Sequence, residues 1–171
     1  VNLIEEFQKN KKIEPVSEFR PMTKKSNANF VRIGTGSLGG KARGLAFANS
    51  YWNDDEIVEK YPDIRFRVPR VAVVSTDEFD DFMEVNKLWE SALSLDDNKD
   101  IGDIFLKASL SKKLMKTLKD FLKEVNYPLA IRSSSLLEDS QYQPLAGMYS
   151  TFMLPNCHKN NTERLSQLCE A

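Results

Sequence analysis

The sequence predicts an α+β fold, a mixed sheet with flanking helices. Short apolar runs of strand length recur at residues 29–33 (NFVRI), 71–74 (VAVV) and 129–131 (LAI), and another follows Thr151 and closes at Leu154. Longer stretches with helical spacing separate them, the clearest carrying Leu114, Leu118, Phe121, Leu122 and Val125 on one face with lysines opposite. The chain of 171 residues is long enough for one domain with a real core.

Composition narrows the function classes. The chain is 41% hydrophobic and 29% charged, as ordinary globular domains are. A net charge of -1 gives no basic footprint for nucleic acid, so no nucleic-acid partner is expected. No apolar run approaches the ~20 residues of a membrane span, no signal-peptide pattern is read, and a cytoplasmic protein without a membrane partner is expected. The start at Val1, without methionine, suggests a piece of a longer protein. Cys157 and Cys169 are too far apart for a CxxC motif, so neither a metal site nor a disulfide is expected. His158, the only histidine, reads as a solvated loop residue.

Residues 1–30 read as an extended lead-in broken by Pro15 and Pro21, with a short helix over Leu3–Gln8 and a turn at Lys24–Asn27. Residues 31–171 read as one lobe. The NFVRI strand runs into a glycine-rich turn, GTGSLGGKARG, and then a helix with Leu45, Ala48 and Trp52 as buried candidates. The helical pattern weakens at Asp54 and Asp55, and a further turn over Glu56–Lys60 precedes Pro62. Phe66–Ser75 is the best strand. Its continuous VAVV run predicts a central strand covered on both faces, with Pro69 at its start. Ser75 and Glu78 have capping-box spacing and open a helix burying Phe79, Phe82 and Met83 and reaching towards Trp89. The acid-rich residues 94–103 lack the glycine and terminal glutamate of a calcium loop and read as a surface loop. Ser111 caps the amphipathic helix, and TERLSQLCEA is helical at the chain's end.

Two stretches carry the chemistry. In the first, Gly39 and Gly40 offer backbone N–H groups at a helix N-terminus, and Lys41 adds a full charge there. A cation is unfavourable at that positive end, which makes sense if an anion sits between. Gly34, Gly36 and Gly39 also match GxGxxG, the dinucleotide fingerprint, but Asp54 and Asp55 fall in a helix end and not at the end of the next strand. A P-loop would need glycine at Thr35 and a hydroxyl at Ala42. In the second stretch the strand ends on Arg132, whose forked donors suit phosphate. Ser133 and Ser134, the acids Glu138 and Asp139, Gly147 and finally Thr151 follow.

IRSSSLLEDS followed by LAGMYSTFML resembles the nucleotide-binding signature of the phosphoenolpyruvate synthase and pyruvate phosphate dikinase family. GGKARGLAF and VPRVAVVSTDEFDDF resemble two earlier landmarks of that family, in the same order. Leu145 stands where the family usually has phenylalanine and Met148 where it has glutamine, which removes an amide.

The resemblance implies the first lobe of an ATP-grasp fold. It implies ATP as ligand and magnesium held by residues outside this chain. It also implies phosphoryl transfer to a histidine on another domain, then to pyruvate or a related small-molecule acceptor. A second ATP-grasp lobe and a phospho-histidine domain would be the partners. On that reading Lys41 and Arg132 neutralise the triphosphate and serve catalysis. Ser133 and Ser134 orient Arg132 or reach phosphate. Gly147 and Thr151 belong to a loop over the phosphates, and Glu138 and Asp139 position that loop or help with magnesium. A non-catalytic regulatory or scaffolding module of the same fold is the alternative, suggested by Met148, and a dinucleotide-binding enzyme is the third.

Overall fold

The computed structural model describes residues 17–18, 30–52, 59–65, 69–135 and 149–171. The elements expected at Leu3–Gln8 and Lys24–Asn27, the breakers Pro15 and Pro21, residues Asp54 and Asp55, most of the Glu56–Lys60 turn and the start of the strand at Phe66–Val68 lie outside them.

Five strands and six helices are described. Strands β1 (Ser17–Glu18), β2 (Phe30–Ile33) and β3 (Val71–Val74) form a parallel sheet in that order. Helix α1 (Gly40–Trp52) lies between β2 and β3 in the chain. Helices α2 (Thr76–Val85), α3 (Leu88–Ser94), α4 (Asn98–Lys107) and α5 (Lys112–Glu124) follow. Strands β4 (Leu129–Arg132) and β5 (Thr151–Leu154) make an antiparallel pair, and α6 (Asn161–Glu170) ends the chain. The α+β class holds. The single mixed sheet does not: among the described residues there are two sheets, one wholly parallel and one wholly antiparallel.

Strand β2 is the keel. Its alternate residues serve two cores, as the period of two requires. Phe30 joins Ala42 and Val73 under α1, with Leu38, Ala46 and Val71 packed against them. Ile33 joins Leu114, Leu118 and Leu122 of α5 and Leu165 of α6. The amphipathic helix therefore lies as its sequence requires, with Ser111 accepting from the Leu114 N–H at 3.1 Å. The TERLSQLCEA helix is present too, capped by Asn160.

Strand β3 corrects the sequence reading. It pairs only with β2 among the described residues, and α1 covers just the Val71 and Val73 side. Val73 is buried while Ala72 and Val74 are exposed, Val74 at 48%. An apolar run reports a strand but not how many faces are covered.

Helix α1 buries Ala42 and Asn49, not Leu45, which is 39% exposed; Ala48 is partly buried. The face that meets Phe30 and Val73 is made of small residues. The helix after Ser75 stops earlier than expected. Lys87 takes a left-handed φ of 53°, and Trp89 belongs to the separate α3. Met83 is buried, but Phe79 is 51% exposed and stacks edge-on with Trp89. The acid-rich stretch expected to be a loop is helix α4. Asp97 caps it through the Lys99 N–H, and Ile101, Ile104 and Phe105 give it an apolar stripe.

Candidate phosphate-binding site

The glycine-rich turn connects β2 to α1 and is held from both sides. On one side sits the N-terminus of α2. The Asp77 carboxylate accepts from the Thr35 N–H and the Thr35 hydroxyl, each at 2.8 Å. Ser37 and Thr76 exchange bonds: the Ser37 N–H donates to Oγ1 of Thr76, and the Thr76 N–H donates to the Ser37 carbonyl, both at 3.1 Å. The contact leaves no room for a side chain at Gly34 or Gly36. A Cβ on Gly34 would lie 2.2 Å from Oγ of Ser75, and one on Gly36 would lie 2.6 Å from the Asp77 nitrogen. Gly34 also has a φ of 99°, which L residues rarely adopt.

This arrangement replaces the expected capping box. Ser75 is the residue before α2, as predicted, but its side chain makes no capping bond. Its N–H and hydroxyl both reach the Ile33 carbonyl at 2.9 Å, and the hydroxyl also contacts Asp77. The buried Glu78 carboxylate meets Nζ of Lys113 at 3.4 Å, while the Glu78 N–H donates to the Ser75 carbonyl at 3.2 Å. The end of β2 holds the serine that the helix would otherwise use.

On the other side stands the segment after β4. Oγ of Ser134 accepts from the Ala42 N–H at 3.0 Å. Ala42 is the third residue of α1, where the N–H has no partner within the helix. Ser134 thus caps α1 from a distant part of the chain. The two backbones touch closely: a Cβ on Gly39 would fall 1.3 Å from the Ser134 carbonyl oxygen. Gly39 is needed here for backbone approach to Ser134.

The β4–β5 register adds the next pair. Arg132 lies directly opposite Thr151, and directly opposed residues share one face of a sheet. Both are exposed, as are Ala130 and Met153 on that face. The fold therefore joins Gly39 to Ser134 and Arg132 to Thr151, with Gly40 and Lys41 between Gly39 and the capped Ala42. Lys41 and Ser133 are partly buried. Glu138, Asp139 and Gly147 lie outside the described residues.

A model of the pyruvate phosphate dikinase AMP/ATP-binding domain matches residues 35–170. The chain belongs to that family. The match takes in the glycine-rich turn from Thr35 onwards, the Arg132–Ser134 segment and Thr151, so the family resemblance read in the sequence holds. No curated protein and no solved structure matches the chain. As a member of this family, the chain carries an AMP/ATP-binding domain.

The glycine-rich turn also has an acidic neighbour. Asp77 places a carboxylate beside it. Partial burial would raise its pKa, but the Ser75 hydroxyl, the Thr35 N–H and hydroxyl and the Gly36 N–H together hold it far below the ordinary carboxylate range. It is therefore ionised at neutral pH and already engaged by donors. Asp77 is not among the site residues that the sequence singles out. The signal available was a second acid inside the apparent capping box.

Among the described residues no group of three His, Cys, Asp or Glu side chains gathers as a metal site. Nor is any described helix long and apolar enough to cross a membrane.

Proposed function

We propose that this chain supplies one side of an ATP-binding site in a dikinase-like phosphotransferase of the ATP-grasp type. On this reading, phosphate passes from ATP to a histidine on another domain and onwards to pyruvate or a related small acceptor. The observation that carries the reading is the meeting of Gly39–Ala42 with Arg132–Ser134. Two stretches read separately as phosphate elements share a hydrogen bond and a backbone contact.

The residues divide the work as follows. The N-terminus of α1 presents its positive end and the Gly40 and Lys41 N–H groups towards phosphate oxygens. Lys41 and Arg132 neutralise the triphosphate and, as charge shifts during transfer, stabilise the departing oxygens. Ser134 is committed to the Ala42 N–H, so its part is to fix the spacing between the two elements. Thr151 stands beside Arg132 to meet phosphate or hold the arginine. Gly147, Glu138 and Asp139 belong to the connection between β4 and β5. Magnesium would balance the remaining triphosphate charge, and its ligands lie outside the described residues; no step is assigned to it. A second ATP-grasp lobe and a phospho-histidine domain complete the active unit on this reading.

The dinucleotide reading has one feature in its favour, the parallel β2–α1–β3 unit with its glycine turn. It fails at Gly36. Close approach of a pyrophosphate needs open space over the second glycine, and the Asp77 backbone fills it. A scaffolding role without chemistry is the remaining rival. Labelled ATP separates the two in the full-length protein. Acid-labile, base-stable label on a histidine supports phosphotransfer; ATP binding with no labelled histidine supports the scaffold.

A further inference from the structure

We infer that Asp77 is a positioning residue for the phosphate site, acting through the glycine-rich turn without touching the nucleotide. The inference rests on the ATP reading above. Thr35 sits between Gly34 and Gly36, where the chain leaves β2 for α1. Its N–H and its hydroxyl both end on one oxygen of Asp77, 42 residues away. The next bonds along the turn, between Ser37 and Thr76, tie it to the same helix end. Gly34 and Gly36 lie so close to Ser75 and Asp77 that the turn has no slack on that side.

The consequence reaches the site by rigid connection. Ser37 is two residues from Gly39, which rests on the Ser134 carbonyl, and α1 starts at Gly40. The turn is therefore clamped at Asp77 and again at Ser134, and Gly40 and Lys41 come directly after the second clamp. Releasing the first lets the segment shift relative to Arg132. A displacement near 1 Å is enough to spoil several phosphate contacts at once. The carboxylate also suits this task electrostatically. Its donors occupy it, so a negative charge can stand beside a phosphate site while its field is largely spent on the turn.

The test compares the full-length wild-type protein with its Asp77→Asn variant, which keeps the shape and removes the charge. Asp81→Asn, on the exposed side of α2, serves as the control. Backbone amide exchange is read at Thr35 and Gly36, and affinity is read for magnesium-ATP and for adenosine. The expected result is faster exchange at both amides and a loss of about five- to tenfold in ATP affinity, with adenosine affinity unchanged. Asp81→Asn should change none of these. Unchanged ATP affinity despite faster exchange would make the clamp merely structural and overturn the inference. Equal losses for ATP and adenosine would mean general loosening and overturn it too. If the full-length wild-type protein binds no ATP, the nucleotide reading fails and this inference falls with it; the exchange arm still shows whether the clamp exists. Should Asp77→Asn not fold, Thr35→Val removes one donor and is read on the same arms.

Discussion

Oγ of Ser134 accepts the Ala42 N–H across 3.0 Å, although the two residues are 92 positions apart. A loop serine thereby closes the N-terminus of a helix that belongs to another part of the fold. Ser134→Ala should cost about 0.5–2 kcal/mol of stability, the usual cost of losing a cap. It should also weaken ATP binding, because the spacing of Lys41 and Arg132 loosens. Chemical denaturation and ATP titration of the same variant check both parts.

The glycines should respond in opposite directions. Gly39→Ala puts a methyl into the Ser134 carbonyl and should destabilise by about 2–4 kcal/mol or force the two segments apart. Gly44 lies within α1 with nothing within 4 Å of a Cβ there. Gly44→Ala should stabilise by about 0.5–1 kcal/mol through helix propensity. Thermal unfolding of the two variants side by side is the measurement.

Arg164 is buried in the corner between α5 and α6. Nε donates to Asn156 and Nη1 to Asn161, each at 2.8 Å, while Nη2 reaches the Leu122 and Val125 carbonyls. Asn156 itself donates to Val125 and Tyr127, in a left-handed conformation with φ of 51°. The guanidinium closes the C-terminal end of α5, where a positive charge is favourable. Arg164→Met should cost about 2–4 kcal/mol, since buried carbonyls lose their donors. Denaturant midpoints would show it, with the β4–β5 pair still formed by amide exchange.

Asp77 gives stability a definite dependence on acid. Its folded-state pKa is depressed, so its stabilising effect is fully present above the ordinary carboxylate value of 3.8 and is lost as pH falls below it. Wild-type chain should lose more stability between pH 5 and pH 3 than Asp77→Asn does, and the two should run parallel above about pH 6. Unfolding followed at several pH values checks the sign.

The strands and most helices were legible because their patterns are local. The heptad-like leucines of α5 state which face is buried, and Ser111 states where the helix starts. Residues 94–103 misled because many acids suggest solvent, while Asp97 was a cap and Ile101, Ile104 and Phe105 carried the helical stripe. The VAVV run could not say that one face of β3 stays open, since that depends on which helices come back over the sheet. At the site, the glycine-rich turn and Arg132 stand out in the sequence by their types and spacing. Two facts do not: that Gly39 makes room for Ser134, and that Asp77 holds the turn. Both depend on contacts between segments 42 or more residues apart. No local pattern encodes them.

On the proposed reading, Lys41 and Arg132 act on one triphosphate. A double-mutant cycle with Lys41→Ala and Arg132→Ala, read as magnesium-ATP affinity by calorimetry, tests it most directly. The wild-type chain should bind ATP weakly, because one side of a site stays wet and exposed charge pairs contribute only about 0–1 kcal/mol each. Each single variant should weaken that binding further, and the double variant should lose less than the sum of the two. Strictly additive losses, or a variant that binds as the wild type does, would contradict a shared phosphate site.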